Sequence, residues 1–158
     1  MSRLQDEWVR EGKGLSGQTV IIGEPPNYDE IAARFPIRGK SVIFSYGDKV
    51  YNPAGIKVPY EILAHEARHG SQQDAYGVED WWKHYLIDRE FRLDQELEAH
   101  MVEYDWLKSW ATNRHERRAA EAIVSKKLAS DIYDFGMGYL ELREAMRTGG
   151  LSLARREQ

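Results

Sequence analysis

His65-Glu66-Ala67-Arg68-His69 sets two imidazoles four residues apart with a carboxylate between them. On a helix, residues i and i+4 stack on one face, so both rings can address one ion. Neutral imidazole is a good zinc ligand, and Glu66 stands where it can take a proton from a metal-bound water. A pattern this short recurs by chance, so its surroundings decide its weight. Ile62, Leu63, Ala64 and Ala67 make the segment look partly buried. Unpaired polar groups are costly on such a face unless they share a partner. A third candidate ligand, Glu96 in Gln95-Glu96-Leu97-Glu98-Ala99-His100, lies 27 positions beyond His69. That gap leaves room for a turn, a Trp-rich segment and an antiparallel return.

Together, His65-Glu66-x-x-His69 and Glu96-x-x-Ala99 resemble the gluzincin metallopeptidases, in which HExxH is followed by a helical Glu-x-x-Ala-Asp motif. The order of hairpin, loop and active-site helix is also similar to that of zincins. The ligand spacing looks like that of the ImmA/IrrE type. The run Trp81-Trp82-Lys83-His84-Tyr85-Leu86 through Phe91-Arg92 is similar to small phage-encoded metallopeptidases. The likeness covers about residues 41–104. It implies Zn²⁺ held by His65, His69 and Glu96, with Glu66 as general base and Ala99 as the small residue that lets two helices approach. One position departs: the family's Asp, four residues after the Glu ligand, supports a zinc-binding His, and here that position is His100. His100 is thereby expected either as a group beside the ligands, as an alternative ligand or as an oxyanion donor.

Other candidates rank lower. Glu98 points away from Glu96, since two residues turn a helix by about 200°, and is expected to be solvated. Glu103 lies near the Glu96 face and is expected to be exposed or salt-bridged. Tyr104, two turns beyond Glu96, is either an oxyanion donor or an ordinary core tyrosine. His84 and His115 read as surface or core histidines, and Trp81 and Trp82 as core. Arg117-Arg118 and Lys126-Lys127 form a modest basic patch, expected to be a solvated face.

The elements that must position these residues follow from pattern. Thr19–Ile22 and Ser41–Tyr46 read as strands, with a short helix over Tyr28–Phe35 stopped by Pro36. Gly47-Asp48 reads as a hairpin turn. A helix should begin near Pro59 and end around Tyr76-Gly77. A short helix around Trp81–Leu86 precedes a long one from about Asp88 to Trp110, with Leu93, Leu97 and Met101 along one face. Asn113 with Glu116 caps a fourth helix, which carries a break at Gly136 and Gly138 and stops at Gly149-Gly150, ahead of a frayed tail. The expected fold is α+β, a mainly helical, zincin-like single domain over residues 1–158. Its small antiparallel sheet packs on the active-site helix.

Composition narrows the chemistry. Of the 158 residues 42% are hydrophobic and 30% charged, and five Trp and nine Tyr supply core material. The net charge of -4, with basic and acidic residues interleaved, gives no stripe for nucleic acid. The absence of cysteine removes disulfides, thiolate ligands and a Cys nucleophile, so any metal is held by nitrogen and oxygen. No run suits a signal peptide or a membrane helix. The expected location is therefore cytoplasmic, or a host cytoplasm or virion for a phage product.

These residues point to a peptidase acting on a protein or peptide, with the strand Ser41–Tyr46 aligning an extended substrate, as the zincin likeness implies. Two alternatives remain open. One is a non-catalytic phage structural or assembly protein that keeps a zincin core. The other is a hydrolase of peptidoglycan cross-links.

Overall fold

The computed structural model describes residues 7–148. In chain order they form β1 (Trp8–Val9), β2 (Gly12–Lys13), β3 (Thr19–Ile21), α1 (Tyr28–Arg34), β4 (Phe44–Tyr46), β5 (Lys49–Tyr51) and β6 (Val58–Pro59). Five helices follow: α2 (Tyr60–Tyr76), α3 (Val78–Ile87), α4 (Arg89–Trp110), α5 (Arg114–Leu128) and α6 (Tyr139–Arg147). This is an α+β chain dominated by helices.

Four strands pair in the order β2-β3-β5-β4, while β1 pairs with β6 separately. The sheet is mixed where an antiparallel one was expected, because β3 and β5 run parallel. Parallel neighbours need a long crossover, and here α1 and β4 lie within it. β4 and β5 are a true hairpin: Tyr46 faces Lys49, leaving Gly47-Asp48 as a two-residue turn. Gly47 has φ of 64°, at the first turn position, which a type II′ turn reserves for glycine. The expected strand over Ser41–Tyr46 shortens to Phe44–Tyr46, and Thr19–Ile22 ends at Ile21.

Pro59 precedes the first helical residue of α2 instead of occupying it, and closes β6 with extended backbone. α2 ends ahead of Gly77, as expected. Asp88 caps α4 by accepting from the amides of Glu90 at 3.0 Å and Phe91 at 3.1 Å. Asn113 caps α5 from the Glu116 amide at 2.9 Å. The expected fourth helix does break, but at Leu128, well before Gly136. Past that exit the chain is tied to a buried arginine. Arg92 donates to the carbonyls of Tyr133 at 2.8 Å and Asp134 at 3.4 Å, and to that of Tyr85 at 2.7 Å. These bonds hold the segment after α5 on the α3–α4 corner. Gly149-Gly150 and the tail lie outside the described residues.

Three apolar clusters hold these pieces together. Leu93 and Leu97 of the expected stripe join Val124, Leu128 and Leu142 between α4, α5 and α6, while Met101 is only half-buried. Trp81 and Trp82 are core, as expected, packed with Phe35, Phe44 and Tyr85. Val20, Val50, Val58 and Leu63 join the sheet to α2. α2 also packs along α4, where Ala99 is fully buried, so the two helices that carry the candidate ligands face each other.

Candidate metal centre

α2 is pinned to the sheet on the side that bears Glu66. Gln73 donates from Nε2 to the Ser45 carbonyl at 2.9 Å and accepts from the Gly47 amide at 2.7 Å. Trp82 Nε1 donates to the same Ser45 carbonyl at 3.0 Å. Gln18 Nε2 donates to the Glu66 carbonyl at 3.2 Å. This approach needs Gly70, because a Cβ there would sit 2.7 Å from Gln18 Nε2. The register of α2 against β4 is thus fixed by polar contacts as well as by packing.

Three donor atoms converge on the neighbouring face of α2. His65 Nε2 and His69 Nε2 are 3.1 Å apart, and Glu96 Oε1 from α4 lies 3.3 Å from the first and 2.9 Å from the second. Ligands at about 2.0–2.1 Å from a tetrahedral ion are about 3.3 Å from one another, so the triangle has nearly the required edges. All three side chains are buried. This set of two imidazoles and a carboxylate, with no thiolate, could hold a metal ion. The three sequence-derived ligands are therefore brought together.

Each donor is oriented from behind. His65 Nδ1 lies 3.0 Å from Glu103 Oε1, and Lys127 Nζ donates to Glu103 Oε2 at 2.6 Å. His69 Nδ1 lies 2.8 Å from Gln72 Oε1, which only accepts, so Nδ1 carries a proton and Nε2 faces Glu96. Tyr85 donates its hydroxyl to Glu96 Oε2 at 3.2 Å. Outer partners of this kind fix the tautomer and the ring orientation of metal-binding histidines.

Glu103 corrects an expectation: it is 1% exposed, and the salt-bridge half of its expected role is the one realised. Lys127 stays exposed, as expected of the basic patch, while its ammonium reaches along the flexible stem to Glu103. Glu103 lies seven residues after Glu96, two turns along the same face. Its contact is with His65 Nδ1, on the far side of that ring from the donor Nε2. His100, one turn after Glu96, donates from Nδ1 to the Glu96 carbonyl at 2.7 Å. Its ring sits edge-on to His65 with centroids 4.6 Å apart.

Burial and charge oppose each other throughout the cluster. For His65, burial disfavours the cation, but Glu103 and Glu96 outweigh it and raise the pKa to about 10. Burial pushes Glu96 up, and His69 and His65 pull it well below the usual carboxylate range. Glu103 is held at about 2, with His65 and Lys127 overcoming burial. His100 is lowered to about 4, by burial and then by His65, and is neutral. Glu66 moves the other way: burial raises it, only partly offset by His65 and His69.

Glu66 stands apart from the donor triangle. Ser45 Oγ lies 2.7 Å from Glu66 Oε2 and 2.8 Å from its carbonyl, so its single proton serves either. Glu66, the three donors and His100 all line one cavity of about 470 Å³. Tyr104 does not line it. It sits by a separate surface cleft with Arg117 and Arg118, under the Lys108 ammonium, and packs on the α4–α5–α6 core, so of its two expected roles the structure places it with the core tyrosine. Two phenols do line the cavity: Tyr85, whose hydroxyl is spent on Glu96, and Tyr133, edge-on to His100 with centroids 5.4 Å apart. The Tyr133 hydroxyl has no hydrogen-bond partner among the described residues. Burial and then the negative charge of Glu96 and Glu103 raise its pKa well above the usual value.

The remaining candidates fall as expected. Glu98 is exposed and paired with Arg68. His115 is exposed. His84 stacks on Phe91 and bridges Tyr76 and Asp88, outside the cavity. Sequence reasoning missed Ser45, Gln72, Tyr85 and Tyr133. Only Gln72 carried a local signal, three residues after His69 on the same helix. No family model, no curated protein and no solved structure matches this chain.

Proposed function

We propose that this chain is a zinc-dependent peptidase that hydrolyses peptide bonds at the His65–His69–Glu96 cluster. The observation that carries the reading is the donor triangle opening, together with the uncoordinated Glu66, onto one cavity. A purely structural zinc site is closed by four protein ligands, whereas a catalytic one keeps three and an open position. That difference favours hydrolysis over the reading of a non-catalytic phage component.

Zinc held by His65 Nε2, His69 Nε2 and Glu96 Oε1 would supply a Lewis acid that lowers the pKa of water and polarises the substrate carbonyl. Glu66 takes the proton of the attacking water on a carboxylate oxygen. It then delivers that proton to the amide nitrogen as the C–N bond breaks. Burial raises the Glu66 carboxyl above the usual carboxylate range, which makes it a stronger base. Ser45 fixes the orientation of Oε2. The Tyr133 hydroxyl faces the same cavity and donates to the carbonyl oxygen as negative charge builds there.

Elemental analysis of purified wild type beside Glu66→Gln tests the proposal. One zinc per chain in both, with peptide hydrolysis in wild type alone, is expected. Protein without metal after expression in zinc-supplemented medium would overturn it.

A further inference from the structure

The cavity is much larger than the cluster at its edge. Beyond the polar residues its wall is apolar, with Phe35, Ile37, Val42, Ile56, Ile62 and Ile132 contributed by five separate stretches of chain. Every acidic or basic side chain on that wall is already engaged, and the Tyr133 phenol carries no charge to offer. The donor cluster is satisfied internally, Glu66 by Ser45, Glu103 by Lys127 and His100 by the Glu96 carbonyl. A charged side chain entering here would lose its water and meet no free counter-charge, which is costly. An aliphatic or aromatic side chain would lose only its unfavourable contact with water.

We infer that this cavity takes a bulky aliphatic or aromatic side chain of a polypeptide substrate, beside the bond cleaved at the donor cluster. The inference rests on the peptidase reading and names its substrate class. The same wall is unsuited to peptidoglycan stem peptides, whose cross-links are flanked by free carboxylates, amines and small alanyl groups. It selects by contact area, so Leu, Met or Phe is favoured over Ala, and all of them over Asp or Lys. Val42 and Ile132 are half-buried and lie on the wall outside the donor cluster, so they read the side chain without holding the metal.

Methyl NMR titration of the full chain, with and without zinc, tests the ligand class directly. The probes are the N-acetyl methylamides of leucine, phenylalanine, alanine, aspartate and lysine. Leucine and phenylalanine probes should shift the Ile132 and Val42 methyl signals and bind about 30-fold more tightly than the charged ones. In parallel, peptides varied at one residue should show the same order in kcat/KM. Ile132→Asp should move the preference towards lysine, and Val42→Asp repeats the test should Ile132→Asp fail to fold. Apolar probes that bind without any peptide being cleaved would sink the peptidase reading and leave the ligand class standing. Cleavage beside charged residues, equal binding of all five probes, or an unchanged preference in both variants would overturn the inference.

Discussion

His65 Nδ1 lies 3.0 Å from Glu103 Oε1, two turns along α4 from Glu96. Lys127 from α5 holds the second oxygen of that carboxylate. Glu103→Gln should therefore weaken zinc binding by about 10- to 100-fold, measured by competition with a chromophoric chelator. Lys127→Met should weaken it less, because the carboxylate remains. Unchanged affinity in Glu103→Gln would remove Glu103 from the site.

The donor triangle makes a second prediction. His65→Ala, His69→Ala and Glu96→Ala should each lose most zinc affinity, since two ligands do not hold the ion tightly. His100→Ala should lose much less, because its Nδ1 is spent on the Glu96 carbonyl. Isothermal titration of the four variants separates the roles, and a collapse of binding in His100→Ala alone would reassign the third ligand.

Protons compete with the metal. His65, raised to about 10, is charged in metal-free protein at neutral pH, and a ligand must be neutral. Zinc binding should thus release protons, and affinity should fall as the pH falls from about 8 to 6. The observed binding enthalpy at pH 7.5 should differ between buffers of different ionisation enthalpy. A buffer-independent enthalpy would contradict the charged state of the cluster.

Two variants separate the base from the phenol. Glu66→Gln should keep zinc and fold while hydrolysis falls by several orders of magnitude. Tyr133→Phe should lower kcat by about 10- to 100-fold with little change in KM, and Tyr104→Phe should be silent. Equal kcat in Tyr133→Phe and wild type would show that the hydroxyl donates nothing to the reacting carbonyl.

Legibility in the sequence followed the range of the interactions. His65, Glu66 and His69 were visible because helical periodicity converts a spacing of four into a shared face. Glu96 was visible through its distance from them and a neighbouring small residue. The ends of α2 and α5 were near enough to Gly77 and Asn113 to be read locally. The parallel pairing of β3 with β5 was not, because nothing within either strand records which neighbour it meets. The position of Tyr133 was not either, because its backbone is tied to Arg92, far away in the chain. Lys127 looked like one of a surface pair because no periodicity marks a lysine whose partner lies on another helix.

The lock on Ser45 has a second effect, on association between molecules. β4 is the edge of its sheet, and edge strands offer unpaired main-chain groups to other chains. The register of the hairpin turns the Ser45 carbonyl away from β5, towards where a foreign strand would add. Gln73 and Trp82 already occupy it. Two side chains thus act as a stopper against sheet-to-sheet polymerisation at that position.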